Sequence, residues 1–409
     1  MASFVASRAE SGLKKTDILL IAAEARRDLQ SGNKVIDASI GSFLYDNKKL
    51  GSVSKIKESL KESITDRLGY PPVKGYEEYK EAVLRWLLKD RYEEVLSSKK
   101  VAFGATIGGT GACYIAFNTF LDKGDTVLLP EPMWSNYTQI ADKSYVKHDR
   151  YELFDLDNNF NIASLKERIE VVKKSSKHLL IVINDPCQNP TGFSMVEKEH
   201  EELISLLNEE GKDIAITVLY DLAYLDFLTG GKKRYYLFDM LLDRKLNFLP
   251  AFAFSCSKSF GGYGLRNGAL FALAEDELTK KEVETSIESL ARGTYSCPPG
   301  ASLYSVARAL LDEEKRESII EDIAYNSEIL HKRGTKLVRL LKESNIPFFR
   351  YDYGFFLTLK VDDAFKVYDE LKKKHIYIVP IAEKQVRIAL SGINEEEIEI
   401  LVKELKEII

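Results

Sequence analysis

The chain has 409 residues, more than one small core accommodates, and this length implies two or more domains. Its 45% hydrophobic and 30% charged content is ordinary for a soluble globular protein, and a formal net charge of −5 lacks the basic excess of a dedicated nucleic-acid binder. No apolar run reaches membrane-spanning length and no secretory signal pattern opens the chain. Cys113, Cys187, Cys256 and Cys297 are scattered without a C-x-x-C pair or zinc-type spacing, so no metal, no membrane and a reducing cytoplasm are expected.

Between about residues 101 and 270, strand-like apolar runs alternate with helical patterns. Strands are predicted at 101–103, 126–129, 145–146, 179–183, 214–219 and 251–254, with amphipathic helices such as 162–173 and 197–208 between them. The alternation implies an α/β fold with a mostly parallel sheet covered on both faces, and functional residues at the carboxyl ends of its strands. After Pro299 the pattern changes to a long charged helix over about 311–341, short strands and a last helix at 395–408. That region reads as a second, smaller α+β domain.

Chemistry gathers where the strands end. Gly108-Gly109-Thr110-Gly111-Ala112 follows the first strand and opens a helix, whose unpaired N–H groups form a natural phosphate cup. A dinucleotide fingerprint is the rival reading, but Tyr114 stands where its last glycine belongs. Asp185-Pro186-Cys187-Gln188-Asn189-Pro190-Thr191-Gly192 follows the strand at 179–183 and contains N-P-T-G, which also suits an ordinary turn. Asp221 ends the strand at 214–219, where a carboxylate either pairs with a ring nitrogen or caps a helix. Lys258 lies just past the run 251–254, where poor hydration lowers an amine's pKa and makes it a nucleophile toward an aldehyde. Ser255, Ser257 and Arg266 surround it with donors suited to a phosphate dianion. Arg387 sits in an apolar strand pattern, where its charge needs a partner such as a carboxylate.

The run S-x-S-K-x-F-G-x-Y-x-x-R-x-G over 255–268 resembles the cofactor-lysine segment of the fold type I pyridoxal-phosphate aminotransferases, specifically the aspartate aminotransferase branch. The resemblance extends from Ile40 to Gly392. It implies a large domain, residues 49–305, with a mostly parallel seven-stranded sheet sandwiched by helices. Residues 1–48 and 306–409 would form the smaller domain. It also implies pyridoxal 5′-phosphate on Lys258, with Gly109, Thr110, Ser255, Ser257 and Arg266 around the phosphate and Asp221 on the pyridine nitrogen. Asn189 and Tyr224 would reach the ring's phenolic oxygen, and Trp134, in a segment resembling P-x-W-x-N-H, would stack on the ring. Arg387 would take the substrate α-carboxylate, Gly41 would close over the substrate, and Arg292 would cross a homodimer interface to a distal carboxylate. Tyr70 would reach the phosphate of the neighbouring subunit. Three departures stand out: Tyr137 where the family often has His, Cys297 where it often has Asn, and Gly300 without the usual spacer.

The function implied is amino-group transfer between an L-amino acid, aspartate or aromatic, and a 2-oxo acid such as 2-oxoglutarate. A C–S or cyclising lyase on the same scaffold would share the phosphate and ring contacts. A non-catalytic regulator is the reading from another class, but no helix-turn-helix pattern precedes Ile36 and the set Lys258, Asp221 and Arg387 is intact.

Overall fold

The computed structural model describes Phe4 and residues 18–409. The remaining part of the N-terminal segment expected in the smaller domain, residues 1–3 and 5–17, lies outside the described residues. The described residues pack as two compact units, one of residues 49–332 and 350–355, the other including residues 18–48, 333–349 and 356–409. The second division falls within the continuous helix Glu313–Glu343. A helix with one unbroken polar pattern gives the sequence nothing to mark that change.

Strand β1 (Ile36–Asp37) belongs to the smaller unit. The larger unit holds β2 (Lys100–Ile107), β3 (Thr126–Glu131), β4 (Lys147–Glu152), β5 (His178–Asn184), β6 (Ala215–Asp221), β7 (Leu249–Ser255) and β8 (Asn267–Ala274). They form one seven-stranded sheet in the order β2-β8-β7-β6-β5-β3-β4. All neighbours are parallel except β8, which runs antiparallel to both β2 and β7. The expected α/β architecture is therefore present.

Two strand expectations need correction. The strand expected at 145–146 lies at Lys147–Glu152, because Tyr145 closes the preceding helix in the left-handed region (φ 58°). This is an edge strand in which only Tyr151 is buried, so its sequence Lys-His-Asp-Arg-Tyr-Glu carries no apolar run. The second, β8, was absent from the predicted strands: Asn-Gly-Ala-Leu-Phe-Ala-Leu-Ala continues the glycine-rich segment after Lys258 without a turn signal.

The inner strands are buried on both faces, as a sheet covered by helices requires. Phe252 stacks between Tyr220 and Phe271, with ring centroids at 5.5 and 4.7 Å, and this aromatic row ties β6, β7 and β8 together. Because β3, β5, β6 and β7 run the same way, Glu131, Asn184, Asp221 and Ser255 end at one edge of the sheet. β8 begins at that edge, with Gly268 paired to Ser255 and Asn267 paired to Ile107.

In the smaller unit β1 pairs in parallel with β10 (Ile376–Tyr377), while β9 (Phe356–Lys360), β11 (Val379–Ala382) and β12 (Gln385–Ala389) form an antiparallel sheet in the order β11-β12-β9. Arg333, 1% exposed, donates to the carbonyls of Leu44, Leu390 and Ser391 and pairs with Asp46. One guanidinium thereby fixes the turn that follows β12 to the chain after β1. Among the described residues no helix is long and apolar enough to cross a membrane.

Gly268 is where the sheet and the helix Gly108–Phe120 meet. A Cβ there would lie 2.5 Å from the Gly108 carbonyl carbon and 2.8 Å from the Phe254 oxygen, both backbone atoms that cannot swing aside. Gly268→Ala is expected to cost at least about 1–3 kcal/mol, the range for overpacking a tight core. Gly264→Ala, which meets nothing within 4 Å, should stay within about 0.5 kcal/mol. Denaturant unfolding of both variants checks the pair, and equal stabilities would contradict the packing described.

Candidate active site

Ten of the residues singled out in the sequence sit at or just beyond the carboxyl edge of the large sheet. Gly109 and Thr110 lie in the first turn of the helix Gly108–Phe120, which starts directly at the end of β2. Gly108 adopts φ +65° and donates its N–H to the Arg266 carbonyl at 2.9 Å. A Cβ on Gly108 would meet Arg266 Nη2 at 2.4 Å, and one on Gly109 would meet Ser255 Cβ at 3.1 Å. The two glycines thus let the guanidinium and the serine close on the helix N-terminus. Arg266, itself left-handed at φ 56°, donates from Nη1 to Ser257 Oγ at 3.2 Å and to the Tyr263 carbonyl at 2.8 Å.

A helix N-terminus, an arginine bonded to neutral oxygens and two serines make a donor-rich cup with positive potential. Phosphate chemistry fits this donor set: it offers two negative charges and several acceptors to groups that can only donate or are neutral.

Lys258 lies in the short helix Cys256–Ser259 after β7, begun by Ser255, whose Oγ accepts from Ser257 N–H at 3.2 Å. Its side chain is partly buried, and its Nζ lies 4.9 Å from the Tyr263 ring centroid, 5.6 Å from Phe355 and 5.8 Å from Tyr224. Three aromatic rings around one amine limit water's access to it.

Asp221 is the last residue of β6 and is 5% exposed. Tyr137 donates its hydroxyl to Asp221 Oδ2 at 2.6 Å, and the Cys113 thiol approaches the same oxygen at 3.9 Å. Ala223 N–H donates to Oδ1 at 3.1 Å. Burial pushes the Asp221 carboxyl above the usual carboxylate range, and the Tyr137 hydrogen bond opposes that shift. Burial and then the nearby Asp221 charge push the Tyr137 phenol well up, so it stays a neutral donor. The position where the resemblance leads one to expect His therefore does contact the carboxylate, but through an uncharged hydroxyl. Trp134 stands edge-on to Tyr137, with centroids 5.2 Å apart, which ties the indole to the same carboxylate.

The loop Asp185–Gly192 is buried and internally bonded. Asp185 accepts from Met195 N–H at 2.7 Å and faces His200 Nε2 at 3.1 Å; Gln188 donates to the Pro132 carbonyl at 2.8 Å and accepts from Thr191 Oγ1 at 2.6 Å. The Asn189 amide donates to Tyr224 Oη at 3.5 Å, so these two side chains share one place at the sheet edge. Sequence reasoning missed Asn184, which touches both the Asp221 and Asn189 backbones. Its one signal was a polar residue ending the apolar run at 179–183.

The remaining predicted residues have contacts of their own. Arg387, on β12 of the smaller unit, is 3% exposed, donates from Nη2 to the Ser39 carbonyl at 2.6 Å and lies 4.3 Å over the Phe356 ring. Gly41 belongs to the same unit and is partly buried. Tyr70 is 94% exposed, and Arg292, exposed in the last turn of the helix Glu277–Thr294, donates to Ser296 Oγ at 2.7 Å. Neither joins the contacts around Lys258. The cysteines read as fillers: Cys113, Cys187 and Cys256 are buried, and burial raises all three thiols, that of Cys256 to about 12.

Residues 33–405 match the family of class I and II aminotransferases. The chain is 26% identical over 403 residues to an aromatic-amino-acid aminotransferase of Paracoccus denitrificans, with 96% of each covered. It is 22% identical to the mitochondrial aspartate aminotransferase of Saccharomyces cerevisiae, covering 95% of this chain and 92% of that one. The crystal structure of an aminotransferase from Anaerococcus prevotii superposes with a TM-score of 0.91 at 28% identity, covering 99% of both chains. The chain belongs to the class I and II aminotransferase family and is a transaminase dependent on pyridoxal 5′-phosphate. The lyase reading is not favoured, since these relatives are aminotransferases.

Asp221 has a consequence for the chain without cofactor. A carboxyl whose pKa is raised by folding favours the folded state below its unfolded pKa, and that benefit is lost as pH rises through the folded value. Above that value the ionised group is therefore a cost. Asp221→Asn is expected to raise the melting temperature of the cofactor-free chain at pH 7, with the gain fading in acid. Tyr137→Phe should lower stability at pH 7 by about 1.5–3 kcal/mol, the worth of a hydrogen bond to a charged group. Thermal melts of both variants across pH check this, and an Asp221→Asn chain that melts lower at pH 7 would contradict it.

Proposed function

We propose that this chain moves amino groups between dicarboxylic or aromatic L-amino acids and 2-oxoglutarate, as a homodimer in the cytoplasm. The observation that carries the reading of the site is the gathering of Lys258, a buried Asp221 and the Arg266 cup at one sheet edge, with Asn189 and Tyr224 between them. Names borne by the relatives above support both donor classes.

Each side chain then has a role its chemistry suits. Pyridoxal phosphate, when bound, supplies an aldehyde for an amine and a ring that withdraws electrons from Cα. Lys258 Nζ would hold that group, and as a free amine it would carry a proton to and from the substrate carbon. Asp221 keeps a proton on the ring nitrogen, and its buried charge is thereby met by an opposite one. Asn189 and Tyr224 donate to the ring oxygen, while Trp134 offers a flat face that fixes ring tilt. Gly109, Thr110, Ser255, Ser257 and Arg266 take the phosphate.

Arg387 pairs with the substrate α-carboxylate, and its stacking on Phe356 holds the guanidinium plane for a two-pronged contact. Gly41 borders the substrate. Arg292 and Tyr70, both exposed on this chain, act across the dimer, on the distal carboxylate and on the phosphate of the second copy's site. The domains are proposed at 49–305 and 1–48 plus 306–409.

A half-reaction screen tests the reading. Aspartate, glutamate, phenylalanine and tyrosine are mixed singly with the loaded enzyme, and loss of the cofactor's absorbance band is followed. At least one donor class should bleach the band, and 2-oxoglutarate should restore it; release of pyruvate and ammonia instead would overturn the transaminase reading. Lys258→Ala should lose nearly all turnover, by about a thousandfold or more, since it removes both the covalent hold and the proton carrier. Arg292→Ala should raise KM for aspartate by about tenfold and leave phenylalanine nearly unchanged, the pattern for loss of one ion pair.

A further inference from the structure

Asp221 and Asn189 are assigned above to two polar atoms of the same cofactor ring, yet they come from different segments. Asp221 ends β6, and Asn189 sits in the loop five residues beyond the end of β5. Something must set their spacing, because an error of an ångström at either group weakens its hold on a rigid ring.

One side chain spans them. Asn184, the last residue of β5 and 5% exposed, is the register partner of Asp221. Its Nδ2 donates to the Asp221 carbonyl at 2.9 Å, and its Oδ1 accepts from the Asn189 N–H at 2.8 Å. The orientation of the amide follows from its partners, since a carbonyl can only accept and an N–H can only donate. A polar residue at the end of the run Leu179-Leu180-Ile181-Val182-Ile183 is costly to bury unless its polar atoms are bonded, and here both are. An amide suits this place because its donor and acceptor lie on one planar, uncharged unit. It bridges the two backbones without setting a second charge beside the Asp221 carboxylate.

We propose that Asn184 is a positioning residue that fixes the Asn189 amide and the Asp221 carboxylate at the spacing the cofactor ring requires. This rests on the cofactor roles given to Asn189 and Asp221 above. Asn184 touches neither cofactor nor substrate; it acts through the two backbones it joins.

The test is the dissociation constant of pyridoxal phosphate from the cofactor-free chain, followed by absorbance or fluorescence titration. Asn184→Leu keeps the volume and removes both bonds. It should weaken cofactor binding by about tenfold or more, the effect of losing two buried hydrogen bonds. The same substitution in an Asn189→Ala background should cost clearly less, because one of the two groups it positions is already gone. Asn184→Asp keeps the acceptor for Asn189, removes the donor to Asp221 and adds the second charge that the amide avoids, so it should weaken binding at least as much as Leu.

Cofactor binding by Asn184→Leu within about twofold of the parent, or an equal loss in both backgrounds, overturns the proposal. Should the Leu variant not fold, the near-isosteric Asn184→Asp decides alone: binding within about twofold of the parent overturns the proposal. Asn189→Ala and Asp221→Ala run alongside as controls. If they weaken cofactor binding while Asn184→Leu does not, only this inference fails; if neither weakens it, the assignment of the site fails as well.

Discussion

A carboxylate placed where water cannot reach it is costly, and the cost is recovered when hydrogen-bond donors and an opposite charge meet it. Asp221 is such a group. It ends a strand buried along nearly its whole length, and Tyr137, Ala223 and Cys113 supply only neutral donors. No lysine, arginine or histidine is paired with it among the described residues, so the positive charge that suits this place has to arrive with a bound molecule. A protonated ring nitrogen provides one. In the proposed function the large sheet carries a tension at its carboxyl edge that binding of the cofactor would relieve, with the neighbouring groups arranged around that point.

The parallel run of β3, β5, β6 and β7 makes the arrangement attainable. Parallel strands deliver successive loops to one edge, so Trp134, the N-P-T-G loop, Asp221 and Lys258 converge although more than a hundred residues separate the first from the last. The antiparallel β8 then brings Arg266 back beside the start of the helix Gly108–Phe120, which a parallel strand in that place would not do. Glycines at 108, 109 and 268 allow the approach, and each gap left by a missing Cβ is filled by a named neighbour. Among the residues of this edge, the hydrogen bonds described run to backbone or have a neutral side chain as partner, rather than passing through long flexible ion pairs.

Much of this was legible in the chain. Periodicity located five of the seven large-sheet strands to within a few residues, because buried parallel strands are apolar runs with polar ends. Edge strand β4 was misplaced since exposure frees it from that pattern, and β8 was missed since its residues continue a glycine-rich loop. Lys258 and Asn189 were singled out by their motifs and Asp221 by its place at a strand's end, and each does end or follow an apolar run. Arg266 was found by its motif, but its contact with Gly108 depends on the strand that was missed. Asn184 stayed hidden because its meaning lies in two backbone groups that are distant in sequence from one another or from it. Tyr137 was noticed only as a departure; that its hydroxyl reaches Asp221 is a fact of packing between a helix and a strand that no local pattern encodes.

In the proposed function the Lys258 amine joins the cofactor, and every other role depends on that. Purified protein incubated with pyridoxal phosphate, reduced with borohydride and mapped by peptide mass spectrometry addresses it directly. The account predicts a single pyridoxyl adduct, on Lys258. An unmodified Lys258 with the label on another lysine, or no label at all, would contradict it.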